Sequence, residues 1–131
     1  MSDVIEEGTA ETRGDLRLLH YLLRLPRPVE DVWPAVATAE GLREWLAGAV
    51  DLEPRLGGAA RLGELGEGRV TAWDVERVAE YTAEERGRIR FHLEAAPDGG
   101  TTLRFTHETR SGPEPGWRAR LERLVTALAR D

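Results

Sequence analysis

The segment from Glu114 to Arg130, EPGWRARLERLVTALAR, limits the possible folds of this chain more than any other stretch. Trp117, Leu121, Leu124, Val125 and Leu128 recur at a spacing that places all five on one stripe of a 3.6-residue helix. Arg118, Arg120, Glu122 and Arg123 take the other faces. Pro113 and Pro115 suit a first turn, where a missing N–H costs nothing. Glu114 suits the positive end of the helix and Arg130 the negative end. A helix with a single apolar stripe must bury it on another element. The residues before it form mostly short alternating runs, so the expected partner is a sheet.

Those runs can be placed in order. Residues 1–13 are polar and unpatterned and read as a flexible leader; residues 14–131 read as one domain. In Leu16–Leu25, residues Leu19, Tyr21, Leu23 and Leu25 share one parity, which predicts a strand with Leu18 and Leu22 on its outer face. Pro26 and Pro28 end it. Pro28 opens a helix whose buried stripe is Val29, Val32, Trp33 and Val36. Thr38 caps a second short helix, Ala39 to Leu46, closed by Gly48.

Beyond Ala49 the period falls to two. Strands are predicted at Val50–Glu53, Ala59–Leu62, Arg69–Val75, Arg77–Thr82, Arg88–Ala95 and Thr102–Glu108. Gly63, Gly66 and Gly68 mark a flexible turn, and Asp98–Gly99–Gly100 a hairpin turn. Short connections favour antiparallel neighbours. The sum is an α+β fold in which one curved antiparallel sheet wraps the terminal helix.

Composition narrows function by exclusion. A formal net charge of −6 argues against nonspecific nucleic-acid binding, which needs a basic surface. With no cysteine, disulfides, thiolate metal sites and cysteine nucleophiles drop out together. No apolar run approaches a membrane span, and the N-terminus has no signal core, so a cytoplasmic location is expected. Every basic residue is Arg, a bias that codon usage explains without invoking phosphate recognition.

Several motifs, in order, resemble the Hsp90-ATPase-activator-like (AHSA1-like) family. They are RLPRPVEDVWPAV from Arg24 to Val36, EGLREW from Glu40 to Trp45, RLGG from Arg55 to Gly58, and GRV from Gly68 to Val70. GTTL from Gly100 to Leu103, His107, and Gly116–Trp117 with Leu121 and Leu124 complete the set. The family lies in the SRPBCC superfamily of START/Bet v 1-like helix-grip domains. The resemblance implies a helix-grip fold with an internal hydrophobic cavity whose mouth lies near Trp45. It also implies functions as varied as lipid carriage, hormone reception, cyclisation and cochaperone action. The chain begins without the domain that precedes this fold in the cochaperone proper, which weighs against Hsp90 activation.

Catalytic sets are sparse. Serine occurs only as Ser2 and Ser111, neither in a nucleophile elbow. His20, His92 and His107 lack metal-ligand spacing, so no metal and no cofactor is expected. His107 shares parity with Leu103 and Phe105. It reads either as a core-edge histidine bonded to a backbone carbonyl or as the polar anchor of an apolar pocket. Trp45, Trp73, Phe91, Phe105, Trp117 and Leu121 read either as ordinary core or as cavity wall, and the face of Trp73 is open. Asp74, Glu76 and Glu80 read as a solvated strand face.

Three functions follow as expectations. The first is noncatalytic binding of a small apolar molecule. The second is a cochaperone-like domain meeting a protein partner, as monomer or homodimer. The third is a cyclase- or hydrolase-like enzyme using polar groups such as His107.

Overall fold

A computed structural model describes residues 5–46, 50–83, 87–110 and 116–129, the side chains of residues 7–9 and 64 excepted. The expectations placed on Gly48, Pro113, Glu114, Pro115 and Arg130 lie outside these residues.

The elements in chain order are β1 (Ile5–Arg13), β2 (Leu16–Leu25), α1 (Val29–Ala37), α2 (Ala39–Trp45), β3 (Asp51–Leu52) and β4 (Ala59–Arg61). They continue with β5 (Glu67–Asp74), β6 (Val78–Ala83), β7 (Gly87–Ala95), β8 (Thr101–Thr109) and α3 (Trp117–Ala129). Eight antiparallel strands form one sheet in the order β1-β2-β8-β7-β6-β5-β4-β3. The helices lie against one face, and the expected helix-grip architecture is present. No described helix is long and apolar enough to cross a membrane.

The N-terminal expectation needs correction. Residues 5–13 are not a loose leader but an edge strand paired to β2. An edge strand is paired on one side only, and among the described side chains of this strand Ile5 alone is buried, so no apolar alternation betrays it. Its pairing covers the edge of β2. Leu18 and Leu22 are half-buried there, opposite Glu11 and Glu6 on one side and Glu108 and Arg104 on the other.

Thr38 caps α2 as expected, its Oγ1 accepting from Gly41 N at 3.0 Å. Pro28 is the N-cap of α1 rather than its first helical residue. Val32 and Val36 are buried, whereas Val29 and Trp33 are half-buried. α2 lies so close on α1 that a Cβ at Gly41 would stand 2.0 Å from the Pro34 carbonyl oxygen. Gly68 belongs to β5, not to the preceding turn. A Cβ there would come within 1.8 Å of the Thr82 carbonyl oxygen. Asp98–Gly100 turns between β7 and β8 as expected, with Gly99 at φ +89° and the Asp98 carboxylate accepting from Gly100 N.

On α3, Trp117, Leu121, Leu124 and Leu128 are buried and Val125 is half-buried. Arg118 and Arg123 are exposed, as expected, but Arg120 is buried at 9% exposure. Arg120 sits three residues after Trp117 and one before Leu121, at the margin of the apolar stripe, so the closing sheet covers it. The far end of α3 is held by Arg27, whose Nε donates to the Leu128 carbonyl at 2.8 Å. A cation at a helix C-terminus satisfies a carbonyl the helix leaves open.

Candidate functional site

The sheet register lines up most of the predicted site. Tyr21 of β2 lies opposite Phe105 of β8, Phe105 opposite Phe91 of β7, Phe91 opposite Ala79 of β6, and Ala79 opposite Trp73 of β5. These residues form one row across the inner face, because side chains at paired positions project to the same side. The neighbouring row carries Leu19, His107, Ile89, Tyr81 and Val70.

The helices fill the space over these rows with rings. Trp45, at the end of α2, meets Phe91 edge-on at 5.7 Å, above the small Ala79. Its Nε1 donates to the Ala35 carbonyl at 2.8 Å, so the indole is fixed at both ends. Phe91 and Phe105 lie 5.3 Å apart, Phe105 and Trp117 4.7 Å, and His107 and Trp117 5.1 Å. The result is an aromatic ladder from α2 across the sheet to α3. Leu121 continues it along α3 and is fully buried.

Six of the seven predicted site residues therefore come together: Trp45, Phe91, Phe105, His107, Trp117 and Leu121. Trp45 is not at an open mouth. It is 1% exposed and packed within the core. Trp73 stands apart at the rim, half-buried, its ring 5.1 Å from Trp33 of α1. A register shift between Val70 and Ala72 decides its face. Thr71 is the extra residue of this bulge, bonding to Glu80 on the outer side, and the shift brings Trp73 opposite inward-facing Ala79.

The ladder ends in polar groups. His107, 2% exposed, points inward as its parity predicts, while Glu108 pairs with Arg88 on the outer face. The Arg120 guanidinium lies 5.5 Å from the Trp117 ring. Trp117 is fully buried, and its Nε1 has no hydrogen-bond partner among the described residues. Tyr81, also buried, donates its hydroxyl to the Val36 carbonyl at 2.6 Å, and burial pushes its phenol pKa up. Sequence reasoning misses both Arg120 and Tyr81. The signal for Arg120 is its angular position beside the stripe, and for Tyr81 its parity with Ala79 and Ala83.

The carboxylates divide. Asp74 and Glu76 are exposed, but Glu80 is buried on the outer face, against the expectation of a solvated strand. Thr71 Oγ1 donates to it at 2.7 Å and Arg90 Nη1 at 3.2 Å, with Arg88 at 3.9 Å. Such a carboxylate is held in place by its neighbours on the outer face of the sheet. Among the described residues no three His, Asp or Glu side chains gather to hold a metal ion. Open grooves are present on the described surface. One of about 450 Å³ runs past Glu44, Glu122, Arg123 and Thr126, and one of about 400 Å³ past Arg69, Thr71 and Thr82. Neither is lined by a predicted site residue.

Residues 26–129 match the model of the family described as Activator of Hsp90 ATPase homolog 1-like protein. No curated protein matches the chain. Among solved structures, it is similar to CalU16 from Micromonospora echinospora, at 21% identity and TM-score 0.75, over 97% of this chain and 87% of that one. A conserved protein of unknown function from Enterococcus faecalis, EF2215, superposes with TM-score 0.79 at 16% identity, covering 93% and 76% of the two chains. The Aha1 dimer from Colwellia psychrerythraea gives TM-score 0.66 at 19% identity over 85% and 95%. At such identities the likeness shows the fold alone.

Proposed function

Because this chain belongs to the Activator of Hsp90 ATPase homolog 1-like family, we propose that it is a noncatalytic binding domain for a small, largely apolar molecule held between the sheet and α3. In this reading Trp45, Phe91, Phe105, Trp117 and Leu121 form the wall, His107 lies at the polar end, and Trp73 lies at the rim. The observation that carries it is the ladder's end. An otherwise apolar interior converges on three buried polar side chains, those of His107, Trp117 and Arg120. Binding sites for small molecules combine an apolar lining with a few convergent polar groups.

Titration with an apolar dye, N-phenyl-1-naphthylamine, tests this. Its fluorescence should rise on binding with a dissociation constant in the micromolar range, about −8 kcal/mol. Absence of any rise, with no small molecule retained in native mass spectrometry, overturns the reading.

A second reading, a protein-interaction domain of cochaperone type, is supported by the family's description and by the half-exposed Trp33–Trp73 pair near Val75, itself 60% exposed. The Aha1 neighbour is a dimer, and a homodimer is compatible with that. Stimulation of an Hsp90 ATPase, lost on Trp73→Ala, would favour this reading over the first.

A further inference from the structure

β4 runs alongside β5 only as far as Arg69, and Gly57 and Gly58 extend the cover by one residue through their bonds to Val70. There the chain turns away at Leu56, with Gly58 N bonding back to the Arg55 carbonyl. β5 runs on to Asp74 with no described strand beside it on that side. The hairpin to β6 decides which backbone groups face this gap. Arg77 N donates to the Asp74 carbonyl, so Asp74 turns its polar groups toward β6. Backbone direction alternates along a strand, so Trp73 turns its N–H and C=O into the gap. No backbone group of the described residues bonds to them there. An open edge of this kind is a template for pairing with another chain. The exposed large hydrophobic side chains of the described surface bracket it. Leu56, 63% exposed, stands at the β4 end, and Val75, likewise exposed, follows Asp74 at the other. The adjoining charges are opposite. Arg55 is next to Leu56, and next to Val75 is Glu76, exposed and without an ion-pair partner among the described residues.

We propose that a second copy of this chain fills the gap, β5 against β5 in antiparallel register, with Trp73 opposite Trp73 across a two-fold axis. The two residues exchange N–H to C=O bonds, which continues the sheet from one copy into the next. The same register sets Val75 opposite Thr71 of the other copy, where it meets that copy's Leu56, and brings Glu76 to Arg55. Each contact occurs twice, because an isologous interface is self-complementary. The faces match as well, since Trp73 looks inward in both copies and cross-strand partners share a side. The inference rests on the protein-interaction reading above for this rim and names the partner. It requires neither Hsp90 nor an interior ligand, so an Hsp90 ATPase assay and the experiments below fail independently.

Sedimentation equilibrium of the whole chain should show a reversible monomer–dimer equilibrium, and amide exchange at Trp73 should slow as concentration rises. Val75→Arg sets a cation against Arg55 of the other copy, twice by symmetry. It should raise the dimer dissociation constant about tenfold or more and leave the melting temperature of the dilute monomer in place, because Val75 is exposed. The chain has no cysteine, so Leu56→Cys combined with Val75→Cys gives a second readout. Within one copy the two sites stand about 13 Å apart along the strand, too far to bridge. On oxidation the double variant should close into a covalent dimer. A ladder of higher species, or no cross-link at all, overturns the two-fold register. A wild type that stays monomeric to its solubility limit overturns the proposal and leaves the gap to an extended segment of another protein. Dimerisation that Val75→Arg does not weaken, with Trp73 exchange independent of concentration, overturns it too and places the interface elsewhere.

Discussion

The Tyr81 hydroxyl donates to the Val36 carbonyl oxygen at 2.6 Å, tying the middle of β6 to the last turn of α1. Val36 is one of the last helical residues, so its carbonyl has no partner from within the helix. Tyr81 supplies the missing donor from the sheet, and both residues are fully buried. Removing the hydroxyl leaves a buried acceptor unpaired. Tyr81→Phe should therefore cost about 1–3 kcal/mol in urea unfolding, although it removes a single oxygen. Burial also pushes the phenol above its ordinary range. In the unfolded chain it ionises near pH ~10, so the unfolded state binds fewer protons there and wild-type stability falls as pH rises past that point. Tyr81→Phe should show a smaller fall.

The stripe on α3 is tested by contrast. Leu124 is fully buried, and Leu124→Ala should cost about 2–5 kcal/mol. Arg118 and Arg123 are exposed, and either changed to Ala should stay within about 0.5 kcal/mol. Comparable costs at Leu124 and Arg123 would show that α3 turns a different face to the sheet.

That stripe is legible in the amino-acid order because helical period is a local property, written in residues a few positions apart. The same holds for the alternation of β7 and β8, and for the inward face of His107. What stays hidden depends on partners. Parity cannot assign Trp73 a face, since the bulge at Thr71 reverses parity midway along β5. Glu80 looks like any outer-face carboxylate until Arg88 and Arg90 of the adjoining strand close over it. β1 is polar because an edge strand has little core to face, and polarity reads as a leader. Resemblance assigns Trp45 to an open mouth, but its bond to Ala35 draws it into the core.

Gly41 gives a prediction opposite in sign to helix propensity. In a free helix, Gly→Ala is favourable by about 1 kcal/mol. Here the new Cβ would meet the Pro34 carbonyl oxygen at 2.0 Å, and backbone must move to relieve it. Gly41→Ala should destabilise by about 1–3 kcal/mol, as overpacking does. A melting temperature at or above that of the wild type would show that α2 is not pressed against α1.

Glu80 anchors a charged lattice on the outer face of the sheet. Its side chain is 6% exposed, but those of Arg88 and Arg90 are 44% and 49% exposed, so both cations stay partly hydrated. Breaking a fully buried pair costs more than this arrangement should, since the arginines can turn to water. Glu80→Gln keeps an acceptor for Thr71 and removes the charge. It should cost about 1–2 kcal/mol, between the values for surface and buried pairs. The loss should shrink in high salt, because the arginine heads are open to screening. Urea midpoints at low and high sodium chloride measure both effects.

Glu53 links the loop between β3 and β4 to pH. Its Oε1 accepts from Ala59 N at 2.8 Å, and Arg55 Nη2 lies 3.3 Å from Oε2. The backbone bond first, then the Arg55 charge, holds the carboxyl below the ordinary glutamate range. The sign follows from linkage. Around pH ~4 the unfolded chain binds this proton more readily than the folded one, so stability rises with pH through that region. The contribution is complete above the ordinary carboxylate value and is lost as pH falls through the lowered one. Glu53→Gln retains an acceptor for Ala59 but carries no charge. The wild type should exceed it in stability at neutral pH, and the difference should close progressively as the solution is taken below pH ~4. Urea midpoints of the two proteins between neutral and acid pH measure that difference directly. A gap that persists unchanged into acid would mean that the loop is held by shape and not by the carboxylate charge.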